Sequence, residues 1–344
     1  MKTAIKKKLN LKLLSWILFA VICVAMFVIL PNKSVTNRYM MKVINEGFVY
    51  FIAVLGLSVM LGMGGQVTFS TAGIMGVGAY ICAILTTRYG FTSVQALLVA
   101  LVVGGIFSLI AGLALFRLKG SYFSFASIGL TQLLFTIMSN WMEMTGGPDG
   151  INKIPGLDLG FFACKNYYDY FKVYFVIALL CGFAVQRIRK TYLGRALASV
   201  RDNELAAQCL GVNVYRTKVI SFVIAGLFAC FAGGLYTFQA GYISPDLFKY
   251  DRSAIYLIMV MLGGVDSTIG AFIGSLLLTI LPEKMRFLSD YYMLVYGVGV
   301  IILMVVMPMG LMGLVNILRQ KLHKRFKAKA AGSVETSKEV AANG

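Results

Sequence analysis

The chain has 344 residues, 59% of them hydrophobic and 13% charged, with 32 Lys and Arg against 14 Asp and Glu for a formal charge of +18. So little charge cannot cover a water-soluble domain of this size, and a mean hydropathy of +0.80 excludes both a disordered chain and an ordinary soluble enzyme. The apolar residues come in blocks that approach the length of about 20 residues a membrane-crossing helix needs. They lack the period-two alternation of a membrane barrel, so the expected fold is an all-α polytopic integral membrane protein.

Residues 1–13 form a basic N-terminus that includes Lys6, Lys7 and Lys8. Ten spans are predicted from there, at 14–30, 44–62, 67–86, 94–116, 122–138, 171–187, 219–238, 253–265, 268–281 and 291–309. An N-terminus in the cytoplasm then puts the C-terminus there too, with most Lys and Arg on the inner side. The positive charge therefore reads as a topology signal, with the bilayer as its partner and no nucleic acid. A secretory signal competes for the first apolar run. That run is long for one, and no small-x-small cleavage pattern precedes Pro31, so an uncleaved span is expected.

The first interruption of the apolar pattern is Gly62-Met-Gly-Gly-Gln66-Val-Thr68, and a related one, Gly263-Gly-Val-Asp266-Ser-Thr268, follows much later; both are preceded by Met-Leu. Irregular backbone at membrane depth is tolerated only where it lines a cavity or is buried in protein. Gly64, Gly65, Gln66, Thr68 and Asp266 are therefore candidate lining residues of a translocation path, the competing reading being that Gln66 and Thr68 only satisfy backbone groups at the break. Small residues four apart, Ala72 with Gly76 and Gly270 with Gly274, suit close helix packing.

Between the spans, 139–171 is an external loop carrying Pro148, Pro155 and the acids Glu143, Asp149, Asp158 and Asp169, and 187–218 is a basic cytoplasmic loop. Within the latter a helix is predicted from Arg201 to Leu210, with Asp202 and Glu204 in its first turn and Gly211 as a left-handed stop. Leu205 with Cys209 and Ala206 with Leu210 give it an apolar stripe, suited to a groove on another protein or to the inner leaflet. The membrane domain thus covers 14–318. The tail, 319–344, is basic at first and is expected to become disordered.

Catalytic chemistry is sparse. His323, the lone histidine, sits in the basic tail, and no metalloprotease, nucleophile-elbow or phosphate-loop motif occurs, so the chain is not expected to hydrolyse ATP itself. The six cysteines, Cys23, Cys82, Cys164, Cys181, Cys209 and Cys230, show no C-x-x-C spacing and read as packing residues rather than metal ligands. Ion-coupled secondary transport would need ionisable groups within the spans, and only Glu46, near a span end, and Asp266, at a break, come close.

Five motifs in order, Gly62 to Tyr80, Thr145-Gly-Gly-Pro-Asp-Gly-Ile151, Gly194 to Gly211, Gly241-Tyr-Ile-Ser-Pro245 and Met261 to Gly274, resemble the branched-chain amino acid permease family of ABC importers, the LivH/LivM type, most like its LivM branch. The resemblance spans roughly 45–310. It departs from the family at Ser70 and Thr71, where glycine followed by histidine or glutamine is common, and at Asp266 and Ala271, where glycine and proline are usual. The resemblance implies an ATP-driven importer of branched-chain amino acids, with a second, LivH-like permease, two ATPase subunits that use ATP and Mg, and an extracytoplasmic binding protein, in a bacterial plasma membrane. On it, Arg195, Arg201, Asp202, Glu204, Ala207 and Gly211 are expected to couple to the ATPases, and Gly146, Gly147 and Asp149 to meet the binding protein, unless Gly-Pro-Asp-Gly is an ordinary turn. A permease for urea or short amides is the nearest alternative, and an ion-coupled carrier the alternative from another class.

Overall fold

A chain in lipid must pair its backbone groups within each segment, and the apolar blocks do so as helices. The computed structural model describes residues 37–118, 120–160, 162–285, 297, 298, 301, 310 and 313. Its principal helices are α1 (Arg38–Ser58), α2 (Thr71–Arg88), α3 (Ser93–Leu115), α4 (Ser121–Asn140), α5 (Tyr167–Lys190), α6 (Tyr192–Asp202), α7 (Glu204–Cys209), α8 (Val214–Ala240), α9 (Tyr250–Gly263) and α10 (Thr268–Met285). α1 continues through a loosened π turn, Val59–Met63. Six of these are long and apolar enough to cross a membrane: α1 with its π turn, α2, α3, α4, α5 and α8. Helices α9 and α10 lie where two further spans are predicted, while 14–30 and nearly all of 291–309 fall outside the described residues.

Local chemistry sets the helix ends. The Thr92 hydroxyl accepts from the Gln95 amide at 3.4 Å and Gln95 reaches back to the Thr92 amide at 3.2 Å, a capping box that starts α3. The Asn213 side chain accepts from the Arg216 amide at 3.0 Å to start α8, which ends at left-handed Gly241. Arg187, Arg189 and Lys190 close α5 against the negative end of its dipole.

Helix α1 forms the centre of the bundle. Of its best apolar stretch, with the π turn, 83% is buried, against 28% for α4. Phe48, Ile52 and Leu55 on it are fully enclosed. Helices α2 and α8 approach closely through small residues, with Gly78 against the Cys230 backbone and Gly233 against Met75. The outer faces of α3, α4 and α5 expose Leu98, Val102, Ile106, Ile110, Phe125, Leu133, Leu180 and Phe183, a surface suited to acyl chains and not to water.

The helix ends collect at two faces. The loop face carries the segment between α4 and α5, and the hairpin face carries α6, α7 and both glycine breaks. The one helix predicted over 201–210 is in fact two. Asn203 is extended, at φ −161° and ψ 113°, and its side-chain oxygen accepts from the Ala206 amide at 3.1 Å, so the residue ends α6 and caps α7. Asp202 therefore closes α6, and Glu204 alone supplies acid to the first turn of α7.

Candidate functional site

At the hairpin face, α7 ends in a Schellman motif: the Val212 amide donates to the Ala207 carbonyl at 3.0 Å and the Gly211 amide to that of Gln208 at 2.9 Å. Gly211 has φ +81° and nothing within 4 Å of a Cβ placed on it, so only backbone conformation restricts that position. Ala207 is buried with Val200 and Val214 and seats the short helix on the bundle. Leu205 and Leu210, at 73% and 81% exposed, point the other way. The result is a rigidly capped apolar knuckle held clear of the protein's own core. Gly211→Val is expected to cost about 1–2 kcal/mol locally through the left-handed penalty. The measurement is amide exchange, which should speed up over Ala207–Val212 while the α1 and α8 amides stay protected.

Helix α6 joins that knuckle to the two breaks. The Arg201 guanidinium donates to the Gly62 carbonyl and to the Asp266 carboxylate, the latter at 3.0 Å, and Arg189 donates to the Asp266 main-chain carbonyl. The Val265 carbonyl lies against Gly62, where no side chain would fit. Gly65 has φ +66°, and a Cβ there would stand 2.8 Å from Arg201 Cγ. Arg201, Gly65 and Asp266 thus meet at one point. The Arg195 side chain, by contrast, is exposed, and its guanidinium donates to the Lys190 carbonyl at 3.0 Å.

The first break is stitched to its neighbours. Ser124 donates to the Val67 carbonyl at 2.8 Å, Ser127 accepts from the Phe69 amide at 2.9 Å, and Thr131 donates to the Phe69 carbonyl at 2.8 Å. Thr68 is buried with its hydroxyl 2.9 Å from that of Ser70, and Gln66 donates to the Gly64 carbonyl at 3.3 Å. Both side chains satisfy the local segment, and Gly64 is buried beside Leu197. Ser124, Ser127 and Thr131 were missed from sequence although their spacing of three and four marks one polar face of α4.

On the loop face, the Thr145 hydroxyl donates to the Met138 carbonyl at 2.7 Å and accepts from the Gly147 amide at 3.3 Å. Gly146, Gly147 and Gly150 all have positive φ, and Ile151 exchanges two backbone hydrogen bonds with Ile243, at 2.9 and 3.1 Å. The Thr145 to Ile151 and Gly241 to Pro245 motifs are therefore one structure, with Asp149 exposed on its rim. Cys164, in the same loop, has a thiol pushed up to about 11, mainly by burial and then by Asp169 and Asp158, so it stays protonated at neutral pH.

These features have parallels in known proteins. Residues 39–307 match the family model described as the branched-chain amino acid transport system permease component. The chain is 30% identical over 287 residues to the high-affinity branched-chain amino acid transport system permease protein LivM of Escherichia coli K12, covering 77% of this chain and 68% of that one. It is 27% identical over 304 residues to a probable LivH permease of Methanocaldococcus jannaschii, covering 79% and 92%. A galactose/methyl galactoside import permease, MglC of Haemophilus influenzae, is 27% identical over 218 residues, or 59% and 63%. No solved structure matches the chain.

Proposed function

We propose, for a chain that belongs to the branched-chain amino acid transport permease family, that it is the membrane-spanning subunit of an ATP-driven ABC importer and carries branched-chain amino acids. The hairpin face is cytoplasmic in this reading and the loop face external, with ten spans and both termini inside. Two ATPase subunits, using ATP and Mg, dock on the hairpin face. A second, LivH-like permease completes the path, and a binding protein delivers substrate near Gly146, Gly147 and Asp149.

The observation that carries this reading is the knuckle of α7, apolar outward at Leu205 and Leu210 and tied through α6 and Arg201 to both breaks. Two leucines held this far out of the protein's own core suit a groove on a partner. When the ATPase pair closes on ATP, a push on α7 travels through α6, with Asp202 and Arg195 on its surface, to the Gly62 and Asp266 segments. Alternating access then follows from a rigid lever acting on two breaks.

Two aspartates at Leu205 and Leu210 are expected to abolish co-purification of the ATPase subunits, a loss of about 30-fold or more in affinity if the pair is a hot spot. The bundle should fold as before, because both side chains are already exposed. The function itself is tested by ATP-driven uptake of labelled leucine into vesicles holding the complete transporter. Uptake by this chain alone under an ion gradient, without ATPases, would favour a secondary carrier instead.

A further inference from the structure

Helices α3 and α8 pack side by side and leave a furrow of about 400 Å³ between them on the outer surface. Val102, Ile106 and Leu109 of α3 and Val223 and Leu227 of α8 wall it, and every residue that lines it is apolar. Gly105 keeps it open, since a Cβ there would stand 3.1 Å from Leu227 Cδ2. The apolar strip continues beyond these walls toward the hairpin face. On α8, Arg216, Ile220, Val223 and Leu227 follow at spacings of four, three and four and so share one face. On α3, Leu113 extends the row of Leu109, and Arg117 comes two residues after the helix ends. Ile220 and Leu113 are both exposed. The Tyr215 hydroxyl donates to the Leu113 carbonyl at 2.7 Å and holds these two helix ends together.

Arg117 and Arg216 are exposed, and neither makes an ion pair or a side-chain hydrogen bond among the described residues. Glu204, which reaches this end of α8, is taken by Lys218 at 2.5 Å. From Leu227 to Arg216 the strip rises about 16.5 Å along α8, at 1.5 Å per residue. One leaflet of hydrocarbon is about 15 Å deep, half of the full thickness. The strip therefore has the length of a single lipid, with apolar surface along the tail and free positive charge at the depth of the headgroup.

We propose that the α3–α8 furrow is a binding site for one anionic phospholipid of the leaflet at the hairpin face, with an acyl chain lying in the furrow and Arg216 and Arg117 receiving the headgroup phosphate. The inference goes beyond the importer reading and does not depend on it. Lipid tails are as apolar as leucine, so a chain that leaves the bilayer for the furrow gains packing contacts but no hydrophobic free energy. Selection among lipids must therefore come from the headgroup. Guanidinium groups hold phosphate oxygens by paired, charge-assisted hydrogen bonds, and basic sites between spans favour lipids of net negative charge. A zwitterionic headgroup brings its own cation, which two unpaired arginines repel.

The test is native mass spectrometry of the full chain in detergent, titrated with phosphatidylglycerol or with phosphatidylcholine of the same acyl chains. A basic residue near an anionic headgroup contributes about fivefold in affinity, so the parent is expected to bind its first phosphatidylglycerol about 25-fold more tightly than its first phosphatidylcholine. Arg216→Gln should lower that preference about fivefold, and Arg216→Gln with Arg117→Gln should abolish it. Both side chains are exposed, so the fold should survive. Gly105→Phe fills the furrow without touching either charge and should also abolish the preference; Val223→Trp does the same from the other wall should Gly105→Phe fail to fold. Equal affinity of the parent for the two lipids overturns the proposal, as does a preference that survives loss of both arginines or filling of the furrow. A parent that takes up neither lipid, as it would if another helix of this chain occupied the furrow, overturns it too.

Discussion

Gly78→Leu is expected to leave no folded protein to purify. A Cβ at this position would stand 2.6 Å from Cys230 Cα and 2.7 Å from its carbonyl carbon. Those are backbone atoms in the middle of α8 and cannot rotate aside, so α2 and α8 must move apart. Separation would also open the neighbouring approach of Gly233 to Met75 and release the contact between Gly104 and the Cys230 side chain. In lipid, helices associate by such packing and not by escaping water, so no hydrophobic gain offsets the loss. Overpacking alone costs about 1–3 kcal/mol, occasionally more, and here three contacts fail together. The readout is the monodisperse peak on size exclusion in detergent, which should vanish. Gly129→Leu is the control, because Gly129 is exposed on α4 with nothing within 4 Å of an added Cβ, and it should run like the parent. A Gly78→Leu protein melting within about 2 °C of the parent would mean that the α2–α8 contact is not where the structure puts it.

What the sequence revealed depended on whether the signal was local. Eight of the ten predicted spans coincide with helices because a run of apolar residues is a property of contiguous chain. Some limits shift outward, from 171–187 to Tyr167–Lys190 for example, because helical hydrogen bonding continues through polar first and last turns until a residue such as Asn166 or Thr191 takes an extended conformation. The break at Asn203 was legible in principle. An asparagine followed by Glu-Leu-Ala-Ala is an N-cap signature, and the acids around it drew attention to the dipole instead.

Tertiary facts were not legible in this way. Gly62 and Val265 touch across 203 positions, and nothing in either break names the other. Glu46 read as an isolated charge near a span end, yet its spacing of four from Lys42, which lies 3.8 Å away on α1, was available as a sign of an ion pair. For Gln66 and Thr68, which the sequence offered both as path lining and as partners of the broken backbone, only the fold supplies the hydrogen bonds, and these are local.

Arg201→Ala is expected to separate ATP hydrolysis from uptake. The side chain is 37% exposed and its partner Asp266 69%, so as an ion pair it contributes only about 0–1 kcal/mol to stability, and the variant should fold. Its importance lies in what it joins. One guanidinium reaches the Gly62 carbonyl of the first break and the carboxylate of the second, while its aliphatic stem covers Gly65. A link this weak can be made in one state of the transport cycle and broken in the other, which a buried pair could not do cheaply. Removing it leaves α7 free to move with the ATPases without carrying both breaks along. Coupling free energies of this kind are about 1–3 kcal/mol, so leucine transported per ATP hydrolysed should fall by about 5- to 150-fold while hydrolysis persists. Exchanging the partners, Arg201→Asp with Asp266→Arg, should recover part of the ratio, since the charge attraction returns even though the stem over Gly65 does not. If the single and exchanged variants show the same ratio as the parent, the lever does not run through this contact, and the push from α7 must reach the bundle through contacts such as Ala207 with Val214 and the ion pair of Glu204 with Lys218.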